Sequence, residues 1–424
     1  TEPFGEDELA GFIARQLVET RQSTKAVAHL LEEAYPDAEI VYAKARAVSK
    51  FRNKFDMIKV REVNDFHHAK DAYLNIVVGN TYYVKFTKDA AWFVRNNPGR
   101  TYNLKKMFEN ETVKRGNETA WIPGDNGTIC TVKKWMRKNN VLFTRRAYEV
   151  KGGLFDQNIL KKGKGQIPIK GGVDERLQSI EKYGAYNKAS GAYFMLVESD
   201  GKKGERKRTI EFVPVFLAKS LEESVELRRR YCEEELGLVN PDVRIPKIKI
   251  NTLFDVDGFK MHLSGRSSNG LIFKGANQLV VPYKIEKIIK VISKYCLDYK
   301  ENKEAVLSEK IRPTEGMFEE LFDLLVGKLE YTVYEKRLSA QVPKLKNGKI
   351  IFDALSAEEK CIVLMEILHL FQCASQSANL KLLNGPGRAG ILTMGFDIST
   401  LSNVYIINQS ITGFYEQVID LKTI

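Results

Sequence analysis

VSKFRNKFDMIKVREVNDFHHAKDAYLNIVVG, Val48 to Gly79, is the stretch that decides how this chain is read. Its second half predicts a helix over Asn64 to Val78, opened by a capping side chain and stopped by Gly79. On a helix that starts near Asp65, His68 and Asp71 are three residues apart and His67 and Asp71 four apart, so their side chains can share one face. An imidazole nitrogen beside a carboxylate suits Mg²⁺ or Mn²⁺ when further carboxylates complete the shell, whereas zinc would want more nitrogen or sulfur. Two histidines near an aspartate also read as a capped, partly exposed helix start. The residues alone leave both readings open.

On the amino-terminal side, apolar residues at Leu9, Phe12, Ile13, Leu17, Val27, Leu30 and Leu31 predict one long amphipathic helix over Glu8 to Tyr35, stopped by Pro36. Glu39 to Tyr42 reads as a short strand and Ala47 to Phe55 as a short helix. Beyond Gly79 come Tyr82 to Phe86 and a looser stretch around Trp121 to Trp135, with a turn at Pro123 to Gly127. At Lys151 the composition changes to KGGLFDQNILKKGKGQIPIKGG, a Gly- and Lys-rich run that marks a domain boundary.

The rest of the chain mixes strands and helices. Ala192 to Glu198 and Thr209 to Leu217 read as alternating strands of a hairpin around the loop Asp200 to Arg208, with five basic residues at its tip. Helices are predicted at Ser220 to Leu236, Lys284 to Leu297 and Thr314 to Lys328, and Ser356-Ala-Glu-Glu359 is a capping box opening another through Phe371. His262 and His369 stand alone and read as satisfied side chains. Glu233, Glu234 and Glu235 point in different directions on a helix and read as a solvated face.

Composition narrows the function. The 424 residues carry 66 Lys and Arg against 54 Asp and Glu, a net charge of +12 that favours a polyanionic partner, nucleic acid first, or serves only solubility. Five scattered cysteines make neither a disulfide framework nor a zinc motif. No apolar run is long enough to cross a bilayer and Thr1 to Glu8 does not resemble a signal peptide, so the expected compartment is cytoplasmic.

RQLVETRQSTKAVAHLL (Arg15 to Leu31) and the segment Val48 to Gly79 together resemble the third nuclease segment of the RNA-guided DNA endonucleases of type II CRISPR systems. The resemblance resumes in KYGAYNKASGAYFMLV (Lys182 to Val197), VPVFLA (Val213 to Ala218) and INQSITGFYEQVIDL (Ile407 to Leu421). It implies a bacterial protein with an α/β RNase H-like (RuvC) segment over residues 1–151 and a mixed α/β PAM-interacting domain over 152–424. It also implies a centre at which His68 and Asp71 are catalytic and bind Mg²⁺ or Mn²⁺, cutting the DNA strand not paired to the guide. The implied partners are guide RNA (crRNA and tracrRNA), target double-stranded DNA with its PAM, and the upstream remainder of the same endonuclease, which carries the family's other carboxylates and its HNH nuclease. The chain by itself is therefore expected to be inert toward DNA.

The resemblance further implies DNA contacts. GGLFDQN (Gly152 to Asn158) resembles the loop that grips the phosphate beside the PAM, with Gln157 and Asn158 in that role and Asp156 where the best-known member has a lysine. Asn187 and Lys188 match positions that touch the PAM duplex, and Lys182 and Tyr183 before them are the expected RNA contacts. A base-reading hairpin is expected in NGPGRAGILTMGFDISTL (Asn384 to Leu401), where Arg388, the only Arg after Arg337, is the expected base contact. A reading from another class stays open: a non-catalytic nucleic-acid-binding module with the same basic surface.

Overall fold

The structure is a computed structural model that describes residues 22–41, 43, 45–82, 108–109, 112–138, 167–168, 179–186, 191–275, 278–301, 312–372, 378–410 and 414–424. These fall into two compact units, residues 1–59 with 65–139, and residues 60–64 with 140–424.

In the first unit, helix α1 covers residues 22–34 and ends before Pro36, as expected. Of the predicted strand at Glu39 to Tyr42, Val41 is a bridging position, and Tyr42 lies outside the described residues. Helices α2 (Ala45–Lys54) and α3 (Phe66–Tyr82) follow. The stretch expected to be loose is ordered structure: an antiparallel hairpin, β1 (Val113–Arg115) with β2 (Glu118–Trp121), and helix α4 (Thr128–Met136). The turn between them closes as predicted, Gly127 N donating to the Gly124 carbonyl at 3.0 Å.

These elements share one core of Val48, Phe51, Leu74, Val78, Phe108, Trp121, Ile129 and Val132. Phe108 sits edge-on to Trp121 at 4.7 Å and to Phe51 at 4.8 Å. The Trp121 indole N–H donates to the Phe108 carbonyl at 3.1 Å, so its polar atom is satisfied inside the apolar cluster. Each such aromatic contributes about 2–3 kcal/mol relative to an exposed one.

Helix α3 departs from the predicted stop. Gly79 lies inside it, with open ends reached only at Tyr82. The reason is tertiary: Arg115 on β1 donates from Nε to the Asn80 carbonyl (3.0 Å) and from Nη2 to the Thr81 carbonyl (2.6 Å). A guanidinium thus satisfies the last carbonyls and complements the negative end of the helix, so no glycine cap is needed. Before the other end, the Asn64 side-chain amide donates to the Leu279 carbonyl at 2.8 Å within the second unit.

The second unit is α+β, and every described strand pair is antiparallel. It opens with β3 (Ile167–Pro168), the one-turn helix α5 (Ile180–Tyr183) and β4 (Ala185–Tyr186). The predicted hairpin is present as β5 (Gly191–Asp200) and β6 (Arg206–Pro214), with β7 (Val239–Lys249) on the other edge of β5. Its inner strand does not alternate: Tyr193 to Val197 are all buried, as a strand covered on both faces requires. Of the five basic residues, Arg206, Lys207 and Arg208 lie in β6 and pair with Glu198, Asp200, Glu205 and Asp397.

The helix expected over Ser220 to Leu236 is broken into α6 (Ala218–Glu223) and α7 (Val225–Arg230). Ser224 stands between them and caps the second, accepting from Leu227 N at 3.2 Å. A π-turn over Tyr231–Glu235 follows, in which Leu236 N reaches the Tyr231 carbonyl at 3.1 Å. Glu233 and Glu234 are exposed, as expected, and pair with Arg229 and Arg230 one turn back.

A six-stranded sheet completes the unit, in the order β11-β10-β9-β8-β12-β13. Its strands are β8 (Leu253–Val256), β9 (Phe259–Ser267), β10 (Gly270–Gly275), β11 (Leu392–Met394), β12 (Val404–Gln409) and β13 (Glu416–Asp420). Between the neighbours β10 and β11 the chain makes a helical insertion, led by α8 (Tyr283–Glu301), α9 (Glu315–Glu330), α10 (Glu335–Leu338), α11 (Val342–Asn347), α12 (Lys349–Ala354) and α13 (Ala357–Gln372). The capping box of α13 forms reciprocally: Glu359 N donates to Ser356 Oγ at 3.2 Å and Ser356 N to Glu359 Oε2 at 3.0 Å.

The expected base-reading hairpin at Asn384 to Leu401 is not one. Its only strand, β11, pairs with β10, and the chain then turns to the other sheet, where Ile210 N donates to the Phe396 carbonyl and Ile398 N to the Arg208 carbonyl. Residues 392–399 therefore tie the two sheets together, a tertiary use that turn-forming residues do not reveal.

Among the described cysteines, Cys232, Cys296 and Cys361 are buried and Cys130 is exposed. No helix among the described residues is long and apolar enough to cross a membrane.

Candidate nuclease centre and nucleic-acid contacts

Asp71 lies on the second turn of α3, on a helix whose inner side is fixed in the core by Leu74 and Val78. Both of its oxygens are held. Oδ1 accepts from Arg52 Nε at 2.9 Å and from Arg52 Nη2 at 2.5 Å, and Oδ2 accepts from Lys59 Nζ at 2.5 Å. Arg52 is itself fixed by donating from Nη1 to the Ile58 carbonyl at 3.2 Å. Its side chain is only 7% exposed against 24% for Asp71, so the guanidinium is the buried member of the pair.

Partial burial alone would raise the Asp71 carboxyl. The hydrogen bonds from Lys59 and Arg52, with their charges, outweigh it and hold the group below the ordinary carboxylate range. Asp71 therefore remains ionised, the state in which a carboxylate can bind a metal.

His68 is exposed and His67 nearly buried, their rings 4.1 Å apart at 37°. One ligand atom each from Asp65, His67 and His68 can lie within 4.8 Å of the others. This grouping brings His68 together with Asp65 rather than with Asp71, which sequence spacing had favoured.

The donor set fits a divalent cation in part. Arg52 and Lys59 take three of about four lone-pair positions of the Asp71 carboxylate, leaving roughly one for a metal. Two cations on that carboxylate also oppose a third, so further acidic ligands are needed before Mg²⁺ or Mn²⁺ would be held.

In the second unit, Arg388 is exposed on a loop pinned at its base, where Ala389 and Ala378 exchange two backbone hydrogen bonds of 2.9 Å. Gly390 beside it has φ +85°, and a Cβ there would come 2.8 Å from the Leu370 side chain. The arginine is thus presented to solvent from a fixed support. Lys182 is exposed on α5, its Nζ 5.3 Å from the centre of the Tyr183 ring, and Ser179 Oγ caps the turn by accepting from Lys182 N. Gln157, Asn158, Asn187 and Lys188 lie outside the described residues.

Comparison with known proteins finds two family matches along the chain. A family model for the Cas9 RuvC domain matches residues 21–146, and one for the PAM-interacting domain of CRISPR-associated endonuclease Cas9 matches residues 151–417. The chain is 28% identical over 456 residues to the CRISPR-associated endonuclease Cas9 of Streptococcus mutans, covering 98% of this chain and 32% of that protein. It is 26% identical over 450 residues to that of Listeria innocua, covering 97% of this chain and 31% of the other. It thus spans about a third of the length of these relatives.

Proposed function

The chain belongs to the CRISPR-associated endonuclease Cas9 family, and from that premise we propose that it supplies the His68–Asp71 part of a metal-dependent RuvC nuclease centre together with a PAM-reading domain. The observation that carries the reading is Asp71, ionised and held by Arg52 and Lys59, three residues along α3 from the exposed His68. We place the domain boundary near Lys151 and assign the first part an RNase H-like fold.

In this account Asp71 is a ligand and His68 either a second ligand or the base for the attacking water, and Mg²⁺ or Mn²⁺ when bound would supply charge at the entering and leaving oxygens of a phosphodiester. Arg52 on Oδ1 and Lys59 on Oδ2 together hold the carboxylate against rotation. His68, exposed on the same helix, holds a proton at a ring nitrogen or accepts one from the attacking water. The strand cut is the one not paired to guide RNA. In the second domain Arg388 contacts a base edge of the PAM duplex, Gln157, Asn158, Asn187 and Lys188 contact the duplex around it, and Lys182 and Tyr183 contact the guide RNA.

One carboxylate and an imidazole do not complete a two-metal site, so the 424-residue polypeptide alone is expected to leave both strands of a duplex intact in Mg²⁺. Joined to the remaining segments of a Cas9 and its guide RNA, it should cut. Nicking by the purified 424-residue polypeptide would contradict this assignment of the centre.

A further inference from the structure

The first unit holds two tryptophans among its described residues, and they are used in opposite ways. Trp121 is fully buried with its indole N–H satisfied, whereas Trp135 is 48% exposed near the end of α4. The inner side of α4 is already supplied by Ile129 and Val132, with Met136 packed against the same core. Trp135 is therefore not needed to close that core.

Four of the residues within three positions of it are basic. Residues 128–138 contain Lys133, Lys134, Arg137 and Lys138 and no carboxylate, and all four cations are exposed. Lys138 Nζ lies 3.4 Å from the centre of the Trp135 ring, so one cation already marks the π-face. Cations at the carboxy end of a helix complement its dipole, which accounts for some of this charge. It does not account for an exposed indole among them.

We propose that Trp135, with Lys133, Lys134, Arg137 and Lys138, forms a binding site for single-stranded DNA. A flat aromatic face takes the place of a neighbouring base in the stack, and cations on both sides of it meet the flanking phosphates; this combination holds single strands with little regard to sequence. Lys138 would swing from the ring to a phosphate as a base takes its place. A duplex keeps its bases stacked on each other and cannot use the indole. DNA rather than RNA is the assigned strand because the helix carrying Trp135 and the helix carrying His68 and Asp71 are packed on one core, through Ile129 and Val132 on one side and Leu74 and Val78 on the other. The choice of DNA rests on the nuclease reading above; the stacking site does not.

The test is fluorescence anisotropy of a labelled oligo-dT, titrated with the whole 424-residue chain in EDTA, over a series of salt concentrations. Trp135→Ala should weaken binding about tenfold and leave the salt slope unchanged, and Trp135→Phe should restore most of the affinity. Lys134→Ala and Arg137→Ala should each reduce the slope of log K against log salt by about 0.7. Wild-type affinity in Trp135→Ala, or equal competition by duplex DNA, would overturn the site. Tighter binding of an oligo-U that shows the same dependence on Trp135 would overturn the assignment to DNA. Because no metal is present, a failure of the nuclease reading would be seen in cutting assays and not in this measurement.

Discussion

Arg52 and Asp71, nineteen residues apart, are joined by two hydrogen bonds from one guanidinium to one carboxylate oxygen, and the arginine is the more deeply buried of the two. Asp71 is therefore a structural counter-ion as well as a candidate metal ligand, and the two roles must be separated before an alanine variant can be interpreted.

Removing the carboxylate leaves a buried cation without its partner. Asp71→Ala is expected to cost roughly 3 kcal/mol of stability, read as a lowered urea midpoint. Arg52→Met in the same chain should recover a large part of the loss, so the double-mutant cycle should show strong coupling. Asp71→Asn keeps a carbonyl oxygen for Arg52 and should be milder. It is the better variant for testing chemistry.

The end of α3 depends on Arg115. Arg115→Met should fray its last turn and cost about 1 kcal/mol, seen as faster amide exchange at Asn80 to Tyr82. Gly79→Ala should be tolerated: an added Cβ meets Val41 at 3.5 Å and Ala43 at 3.6 Å, ordinary contact distances, and the position is helical. Had Gly79 been the helix stop, the order of these two effects would be reversed.

Glu198 gives a pH signature for the second unit. The hydrogen bond from Arg208, aided by Arg206 and opposed by burial, holds its carboxyl below the usual range. A group depressed on folding contributes fully above its unfolded pKa and loses that contribution as pH falls through the folded value. The stability difference between wild type and Glu198→Gln should be constant from about pH 7 to 5 and shrink below about pH 4.3. A difference that grew on acidification would contradict the pairing.

Arg388 and Gly390 are close in sequence but should behave in opposite ways. Arg388→Ala should leave the unfolding midpoint within about 0.5 kcal/mol while reducing discrimination between PAM sequences by about tenfold. Gly390→Ala should destabilise, since its φ of +85° and the 2.8 Å approach of Leu370 both oppose a side chain. Unaltered PAM selectivity in Arg388→Ala would leave the exposed arginine as a solvated turn.

Local patterns were legible in the sequence, and tertiary substitutions for them were not. The capping box at Ser356 and the turn at Gly124 to Gly127 formed as written because their partners are within a few residues. Arg115 replacing a glycine cap, Arg52 and Lys59 converging on Asp71, and residues 392–399 joining two sheets each depend on partners far along the chain. No periodicity encodes those. In the candidate centre, helical spacing paired His68 with Asp71, whereas the structure groups His68 with His67 and with Asp65, which lies in the turn before the helix and outside that periodicity.

The most direct test follows each strand of a labelled target duplex in single-turnover cutting by the reconstituted endonuclease with guide RNA and Mg²⁺, comparing wild type with Asp71→Asn. The expected result is that Asp71→Asn cuts the guide-paired strand at the wild-type rate and fails on the other strand. Undiminished cutting of both strands would show that α3 is structural and that Asp71 serves only to hold Arg52.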